Sequence, residues 1–592
     1  MEYLLIQKKK KIVKRIELKK FIEENSVFLK NDYLHYLNLL ENIKIDKKKI
    51  RESYLYKKNY SLWEMGVFSE KNIYKYESIS DVVKFLALVK ICEKYEKSEI
   101  YLHNLDDKFA KKLSKSLYFS KKKIFFENIN KTNFFDRKNI KKFILSNIVF
   151  SILFFLKNLK FNFCFKNQKK ILQNLKHKDI FVISYFTHYD QTKFKKGFFY
   201  PLQWGRLFEK KNVSFNVFQI FIASKIFKRF SYLNTYLNKK NIHGLSKNHF
   251  INNFVDFKMV FSVINDFFLI RNRLKINRYK REINNPILKD IFNIQSSDFK
   301  ISLGGAFLLE HLLWINIFDK IFKEIPKQKL GLFLYENQPW EHAFIRAWRL
   351  NGHGKIIGYT PTTVNFWHLN YFNHKSSNKL KFENEKNSPD LIACSSGVAY
   401  NFFKNFNIPI QKLRKVESLR YNEIKKLNHK KNAKKNFLIL GDYSHEINKN
   451  MLKILDKTIN KFKLYDKYNF YYKPHPATFV PKNLPKNFIV KNDYDLSFLL
   501  KRCKNVICSN STSALIECYE YGNKVFLFND IKTLDFSPIK SIKVFDFIKS
   551  FSNSDELYKI INLKSSQNRI KNFFYKGGKL PKWTKILHQF LS

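Results

Sequence analysis

The sequence predicts an α/β protein of two Rossmann-like domains that face a central crevice, with an apolar helical insertion in the first domain. Short apolar runs alternate with helical patterns along most of the chain, as in proteins built on parallel sheets. A polar segment without apolar periodicity, residues 422–436, separates two such series and is typical of a linker. The length, 592 residues, also exceeds what one hydrophobic core usually serves.

The net charge of the chain is strongly positive, with 110 Lys and Arg against 50 Asp and Glu, a balance of +60. Such a charge favours a polyanionic partner: nucleic acid, anionic lipid or a charged glycan. The lysines are spread along the whole chain, however, and no zinc-finger, RNA-recognition or basic-zipper motif is present. We therefore do not expect nucleic acid as a partner, and we expect peripheral contact with an anionic membrane.

The domain boundaries follow from changes in pattern along the chain. Residues 1–54 are rich in lysine and predict a helical segment, to which no chemistry is assigned. The first α/β domain is predicted for residues 55–421 and the second for residues 437–592. The six cysteines include no CxxC pair, which favours reduced core residues in a cytoplasmic protein. The opening MEYLLIQKKKK is the reverse of a secretory signal.

Residues 143–156, FILSNIVFSILFFL, form the most apolar stretch of the chain. Fourteen helical residues span about 21 Å, which is short of the roughly 30 Å hydrocarbon core of a membrane. Lysines precede and follow the segment, where they can meet anionic head groups. Two interpretations stay open, a helix at the membrane surface and a buried core helix. The first places the protein on the inner face of the cytoplasmic membrane.

Polar residues follow several apolar strands of the first domain. His188 and Asp190 follow the strand predicted at 181–186, and Glu336 follows the strand at 330–335. Because the carboxyl ends of parallel strands share one edge of a sheet, we expect these side chains to line the crevice. Each can take a proton from an acceptor hydroxyl, in the order of preference Glu336, Asp190, His188. The alternative is that they are loop residues with local hydrogen bonds.

The second domain carries the stretch around which the chain is organised, residues 473–522. KPHP follows one strand, and a later strand leads through a hydroxyl-rich turn into a helix. Hydroxyls and free N–H groups at such a helix start can bind a phosphate, and a carboxylate on the helix can bind a ribose diol. The alternative is that these hydroxyls only cap the helix. The predicted donor-binding residues are Lys473, His475, Ser509, Ser511, Thr512, Ser513 and Glu517.

Several strings resemble a family of bacterial surface-carbohydrate (O-antigen-type) biosynthesis proteins: YENQPWEHAFIRAWRLNGHGKIIGYTPTTVNFWHLNYF, VESLRY, KPHP and SNSTSALIECYEYGNKVFLFND. The pairing of an HP motif with a later Ser/Thr motif is also similar to sialyltransferases, Kdo transferases and glycerophosphotransferases. The resemblance implies a GT-B-like architecture, and it places the donor phosphate at His475, Ser511, Thr512 and Ser513. The string GYTPTT departs from the pattern, in which a histidine is expected.

Together these features predict a glycosyltransferase of surface-polysaccharide biosynthesis, such as O-antigen, capsule or lipopolysaccharide. It would transfer a sugar from a nucleotide-activated donor, for which a CMP-linked sugar is one candidate, to a glycan or lipid-linked acceptor. We expect an inverting mechanism without a cofactor, and without a metal because no DxD-type motif lies at a strand end. Two alternatives stay open, a sugar-nucleotide epimerase of the same fold and a non-catalytic glycan-assembly protein.

Overall fold

The structure is a computed structural model. The chain forms an N-terminal region and two parallel sheets, and each sheet has a hydrophobic core on both faces. The structure describes residues 2–45, 47–57, 60–129, 147–162, 175, 180–186, 203–208, 214–221, 246–272, 276–377, 387–475, 478, 480–481, 484–491, 494–530, 533–537, 548–563 and 573–591.

The N-terminal region begins with a β-hairpin. The turn residues Lys9 and Lys10 both have positive φ, 51° and 65°. The prediction that residues 1–54 are helical is therefore wrong for the first two strands and correct only for the two helices after them. The usual signal for such a turn is Asn-Gly, which Lys-Lys does not provide. The elements of this region are β1 (Tyr3–Lys8), β2 (Lys11–Glu17), α1 (Leu18–Glu24), α2 (Ser26–Glu41), β3 (Lys44–Ile45), β4 (Lys48–Lys49), β5 (Leu55–Tyr56), β6 (Tyr60–Ser61), α3 (Val67–Glu70), α4 (Ser78–Lys94), β7 (Glu99–His103), α5 (Asp107–Leu113) and β8 (Ile124–Glu127).

The hairpin belongs to a four-stranded sheet in the order β2-β1-β7-β8. Strand β1 pairs antiparallel with β2 and β7, and β7 pairs parallel with β8. The predicted boundary between residues 54 and 55 is wrong, because strands on both sides of it share this sheet. Pairing between residues almost a hundred positions apart leaves no trace in local periodicity.

The first domain contains a seven-stranded sheet in the order β11-β10-β9-β12-β13-β14-β15, and all its neighbouring strands are parallel. Strands β10 and β12 are buried throughout, as expected of a parallel sheet covered on both faces. The elements of this domain are α6 (Asn147–Asn162), β9 (Ile180–Tyr185), α7 (Gly205–Phe208), β10 (Phe215–Ile220), β11 (Ser246–Phe250), α8 (Phe257–Asn272), α9 (Ile276–Glu282), α10 (Pro286–Gly304), α11 (Ala306–Glu324), β12 (Leu330–Leu334), α12 (Pro339–Leu350), β13 (Lys355–Thr360), β14 (Leu391–Cys394), α13 (Gly397–Asn405) and β15 (Leu413–Lys415).

The second domain contains a six-stranded sheet in the order β18-β17-β16-β19-β20-β21, again parallel throughout. Both sheets thus follow the doubly wound order of Rossmann folds, and the predicted fold class is confirmed. The elements are β16 (Asn436–Leu440), α14 (His445–Lys461), β17 (Asn469–Lys473), β18 (Ile489–Val490), α15 (Leu496–Arg502), β19 (Asn505–Ser509), α16 (Ala514–Glu520), β20 (Lys524–Phe528), β21 (Lys549–Phe551), α17 (Ser554–Asn562) and α18 (Pro581–Leu591).

Helix α18 returns to the first domain. Trp583 is fully buried there, and its indole Nε1 donates to the Glu417 carbonyl at 2.8 Å. The Trp583 ring also packs edge-on against Tyr359 of β13, with centroids 5.4 Å apart. The prediction that residues 437–592 form one domain is therefore wrong at its end, because the last helix completes the core beneath the first sheet.

Helix α6 covers most of the segment for which a membrane-surface helix and a core helix were both predicted. It packs against α8 and α11. Its polar residues Ser151 and Asn158 face inward and are 6% and 2% exposed. Its apolar residues Ile152, Leu153 and Leu156 face outward and are 52%, 51% and 49% exposed. The inward side also buries Phe154, which is 7% exposed, so the apolar surface of this helix extends from the core onto its outward side.

Within the described ranges, no single helix is both long enough and apolar enough to cross a membrane. Helices α10 and α11 are joined at a bend of 43°, and only the two together are long and apolar enough to satisfy that criterion. Both helices bury apolar residues inside the first domain, α10 against α4 and α11 against α12.

Candidate active site at the crevice

Each parallel sheet has a switch point, where the strand order reverses. It lies between β9 and β12 in the first sheet and between β16 and β19 in the second. Ligands of doubly wound sheets bind outside the carboxyl ends of the strands at such points. Glu336 follows β12, Asp442 follows β16 and Ser511 follows β19. These three residues therefore mark the candidate active site.

Asp442 joins the two strand ends at the second switch point. Its Oδ2 accepts hydrogen bonds from the Ser509 and Ser511 hydroxyls, whose oxygens lie 3.1 Å apart. Its Oδ1 accepts the Ser444 backbone N–H at 2.6 Å. Asp442 is 2% exposed and Ser509 is fully buried, whereas Ser511 is partly exposed. The carboxylate therefore positions Ser511, because hydrogen bonds to an ionised acceptor are the strong ones.

His475 lies beside this cluster, just beyond β17. Its ring packs edge-on against Tyr443, with centroids 5.7 Å apart. Burial lowers the pKa of His475, and the nearby Asp442 carboxylate opposes that shift. Gly441 permits the close approach, since a Cβ there would lie 3.2 Å from the His475 backbone nitrogen and 2.5 Å from the Tyr472 Oη. Burial thus favours the neutral imidazole, which carries one ring N–H.

The other predicted donor-binding residues lie at the same sheet edge with different contacts. The Lys473 ammonium donates to the Tyr494 carbonyl at 2.7 Å. The Thr512 hydroxyl accepts the Ala514 N–H at 3.3 Å, which is the capping role given above as the alternative. Ser513 is partly exposed and makes no side-chain capping bond. Contact of these residues with a donor stays a prediction.

Glu517 lies on α16 and faces the chain that enters from the first domain. Burial raises the pKa of Glu517, and the Arg420 guanidinium opposes the shift. Arg420 belongs to the VESLRY string, just before the segment predicted as the linker. The Glu517 carboxylate is therefore balanced in part by a cation of the same chain, and its binding of a ribose stays a prediction.

A second carboxylate shapes the turn that carries Glu336. Glu341 of α12 accepts the backbone N–H groups of Glu336, Asn337 and Gln338, each at 3.0 Å. Asn337 has a φ of 57°, which asparagine adopts more readily than most residues. Burial raises the pKa of Glu341, and the three N–H donors, which favour the charged form, oppose the shift. The turn thereby fixes the backbone of Glu336.

Glu336 itself is partly exposed, and burial raises its pKa to about 7. Burial and then the Glu336 carboxylate raise the pKa of both Tyr185 and Tyr371, so these rings lie beside it. Tyr185 ends β9, which places Glu336 at the switch point of the first sheet. His188 and Asp190 lie outside the described residues. A carboxyl that titrates near neutral pH is suited to general-base catalysis.

Tyr74 connects the first domain to the second. Its Oη lies 3.0 Å from His368 Nε2, and its ring contacts Phe536 of the second domain with centroids 5.0 Å apart. Desolvation of the phenol and then the Asp442 carboxylate raise the pKa of Tyr74, although 54% of this residue is exposed. Asn365 of the first domain donates to the Phe536 carbonyl at 2.6 Å. The two sheet edges therefore meet at one crevice.

The 3₁₀ turn Leu369–Tyr371 links this contact to Glu336. Asn370 donates to the Glu336 carbonyl at 2.7 Å, and His368 directly precedes the turn. Burial lowers the pKa of His368 to about 4, and the Lys30 ammonium adds to the shift. A neutral His368 therefore contacts Tyr74 and directly precedes the turn that holds the Glu336 carbonyl. That Glu336 faces His475 across the crevice stays a prediction.

Sequence reasoning did not select Asp442, Tyr74 or His368 as site residues. Asp442 could have been predicted from the sequence, because it follows an apolar strand just as Glu336 does. Tyr74 lies in the loop between α3 and α4, and no local pattern marks it. Within the part of the chain that the structure describes, no group of three His, Cys, Asp or Glu residues could hold a metal. A metal-independent reaction without a cofactor stays a prediction.

No protein-family model and no curated protein matches the chain. Solved structures with a similar arrangement include the UDP-GlcNAc 2-epimerase of Methanocaldococcus jannaschii, at a TM-score of 0.38 and 11% identity over 70% of this chain and 100% of that one. Anabaena HepE in complex with UDP and glucose has a TM-score of 0.35 and 9% identity over 65% of this chain and 89% of that one. The calicheamicin glycosyltransferase CalG4 has a TM-score of 0.35 and 9% identity over 65% of this chain and 90% of that one. Similarities this distant do not assign a function.

Proposed function

We propose that the protein is a glycosyltransferase that moves a sugar from a nucleotide-activated donor to a surface glycan or its lipid-linked precursor. One arrangement carries the proposal. Glu336, with a pKa of about 7, lies at the first switch point, and the cluster of Asp442, Ser511 and His475 lies at the second. Sugar transfer across a crevice needs a base on one edge to deprotonate the acceptor hydroxyl, and hydrogen-bond donors on the other edge to stabilise the leaving phosphate.

In the proposed reaction, the acceptor hydroxyl attacks the anomeric carbon of the donor sugar. The new C–O bond forms as the bond from that carbon to the donor phosphate breaks, so the configuration inverts. The hydroxyl proton passes to Glu336, whose pKa of about 7 leaves much of it deprotonated at neutral pH. The leaving nucleotide phosphate gains charge, which donors at the second sheet edge stabilise.

At the carboxyl edge of the second sheet, some residues hold others in place and some contact the donor phosphate. Ser509 is fully buried and donates to Asp442, so we assign both to the scaffold that holds Ser511. We assign the phosphate contacts to His475, Ser511, Thr512 and Ser513, which are all partly exposed at the edge of the crevice. This division refines the sequence prediction, in which Ser509 itself was to bind the donor.

Nucleotide binding is the first test of this function. CMP, UDP and GDP are added in turn to the full-length protein, and one of them should raise its melting temperature. A ligand of the native state adds about 2.7 kcal/mol of stability at 100 times its Kd. Donor turnover that needs a glycan or lipid acceptor supports transfer. Conversion of the sugar nucleotide without any acceptor would show an epimerase, and the absence of any thermal shift would favour a non-catalytic protein.

We also propose that the protein works on the inner face of the cytoplasmic membrane. An apolar patch formed by Ile152, Leu153 and Leu156 of α6 and by Phe257 and Phe261 of α8 carries this proposal. Its members are 44% to 60% exposed, and Phe155 of α6 packs against the Phe261 ring with centroids 5.4 Å apart. Because these side chains are about half exposed, inserting each of them into lipid gains roughly half of the 1.5–3 kcal/mol that full burial contributes. Two exposed lysines beside the patch, Lys258 and Lys157, favour anionic lipid, although Lys157 also pairs with Glu310 at 3.2 Å.

Changing Ile152, Leu153 and Phe261 to Ser should abolish membrane binding, because the outward apolar surface is lost while the inward face of α6 is kept. The measurement is flotation with vesicles of phosphatidylglycerol and phosphatidylethanolamine at low and high salt. The matched control changes three scattered exposed residues, Leu350, Ile410 and Leu563, to Ser. Wild-type protein that stays at the bottom of the gradient at low salt would contradict the proposal.

A further inference from the structure

We infer that a polar cavity beside helix α2 binds a neutral saccharide, as a subsite for the acceptor glycan. The inference rests on the proposed glycosyl transfer. The cavity consists of two adjoining spaces of about 250 Å³ each, which share Glu41 and Arg51 in their walls. Together they fall within the range of about 300–1,000 Å³ typical of small-molecule sites. The walls come from α2, from the segment after β4, from the turn after α3 and from the chain after the 3₁₀ turn Leu369–Tyr371.

The polar groups of the cavity are held in place by one another. Arg51 donates from Nη1 to Glu41 at 2.9 Å and from Nη2 to Glu64. The Lys71 ammonium donates to the Ser69 carbonyl at 2.6 Å and to the Asn373 Oδ1 at 2.9 Å. Each carboxylate oxygen can accept more than one hydrogen bond, so Glu41 and Glu64 keep lone pairs for a ligand beside their bonds to Arg51. Fixed donors next to fixed acceptors match sugar hydroxyls, which both donate and accept.

The charge balance of the walls decides between a neutral and an anionic ligand. Three cations face three carboxylates across the two spaces, although the whole chain carries 110 Lys and Arg against 50 Asp and Glu. The walls therefore do not attract an anion by net positive charge. The binding of a neutral polyol does not depend on a net charge, so this balance does not weaken it. The charged residues are Lys49, Arg51, Lys71, Glu41, Glu52 and Glu64.

The cavity adjoins the turn that carries the proposed base. The Asn337 side chain, next to Glu336, donates to the carbonyl of Ser69, which lines the cavity. On the other side, Asn370 donates to the Glu336 carbonyl, and Asn373 lines the cavity three residues later. The cavity and the Glu336 turn thus share two wall segments. A glycan with its reacting hydroxyl at Glu336 could therefore extend past these shared segments toward the cavity.

Saturation-transfer NMR on the full-length protein tests the inference. The probes are methyl glycosides of glucose, galactose, mannose, rhamnose and N-acetylglucosamine, at concentrations up to about 10 mM, where weak sites fill. At least one glycoside should bind, and inorganic phosphate should not displace it. Asn42→Phe, at an exposed position on the cavity rim, and Asn38→Leu should each weaken binding at least about fivefold. Asn460→Phe, an exposed asparagine near the end of α14, is the control and should bind like wild type.

The possible outcomes separate this subsite from the proposed function. No glycoside signal, displacement by phosphate, or equal signals in wild type and both cavity variants would overturn the subsite. A nucleotide-induced thermal shift in the same preparation would then leave the proposed function standing. A glycoside signal that is lost in the cavity variants, without any nucleotide shift, would support saccharide binding in the cavity but overturn both the transferase and the acceptor role of the cavity.

Discussion

Replacing Glu336 by Gln should lower the rate of sugar transfer by about 10²- to 10⁴-fold, the usual contribution of a general base. The same variant should melt at a higher temperature than wild type above pH 7. Burial raises the pKa of Glu336 to about 7, so the folded protein binds this proton more tightly than the unfolded chain. The protein therefore loses stability as the pH rises from 4.5, the ordinary pKa of a glutamate, to about 7, and the Gln variant avoids that loss.

The pH dependence of the rate distinguishes a base from a structural residue. The wild-type rate should rise with pH through about 7, because only the deprotonated carboxylate accepts the proton, and the Gln variant should lack this rise. Glu324→Gln, on an exposed carboxyl at the end of α11 whose pKa burial also raises, is the matched control. A Glu336→Gln variant with the wild-type rate and pH profile would transfer the role to Asp190 or His188.

His475→Ala, and separately the double change Ser511→Ala with Thr512→Ala, should each lower transfer at limiting donor by about 10- to 100-fold. Hydrogen bonds to a charged phosphate contribute about 1.5–3 kcal/mol each, which corresponds to this range. Initial rates at several donor concentrations measure the effect, and the nucleotide-induced thermal shift should shrink in parallel. Asp442 keeps Ser509 as a partner in the double variant, so the turn should stay folded.

The controls for the donor-site variants change the same residue types elsewhere. His588→Ala alters an exposed histidine on α18, and Ser552→Ala removes a hydroxyl that donates to Glu556 at the surface. Both should transfer sugar at the wild-type rate. Wild-type rates in the His475 and Ser511/Thr512 variants as well would exclude the donor site proposed here.

Local patterns in the sequence were sufficient to predict the parallel strands. β12 and β19 are short apolar runs bounded by polar turns, and both lie where the sequence predicts them. The position of Glu336 at a strand end followed from the same logic, because parallel strands share one carboxyl edge. Asp442 follows β16 in the same way, and attention to every strand end would have found it.

Contacts between distant parts of the chain could not be predicted. The pairing of β1 with β7 and the docking of α18 on the first sheet join residues separated by about a hundred positions or more. Tyr74 meets His368 across almost three hundred residues. No periodicity records such a contact, because periodicity reports which face of an element is apolar and not what covers that face.

The sequence by itself determined that the chain folds into two parallel α/β sheets and that polar residues gather at their carboxyl edges, because alternation of apolar runs and helices is a local property. Only the tertiary structure decided the state of those residues. Burial of the turn after β12 brings the pKa of Glu336 to about 7, and Asp442 engages the Ser509 and Ser511 hydroxyls. Packing on α8 and α11 buries Phe154 of α6 and leaves Ile152, Leu153 and Leu156 exposed. Burial and hydrogen bonding depend on the neighbours of each group, which local sequence does not specify.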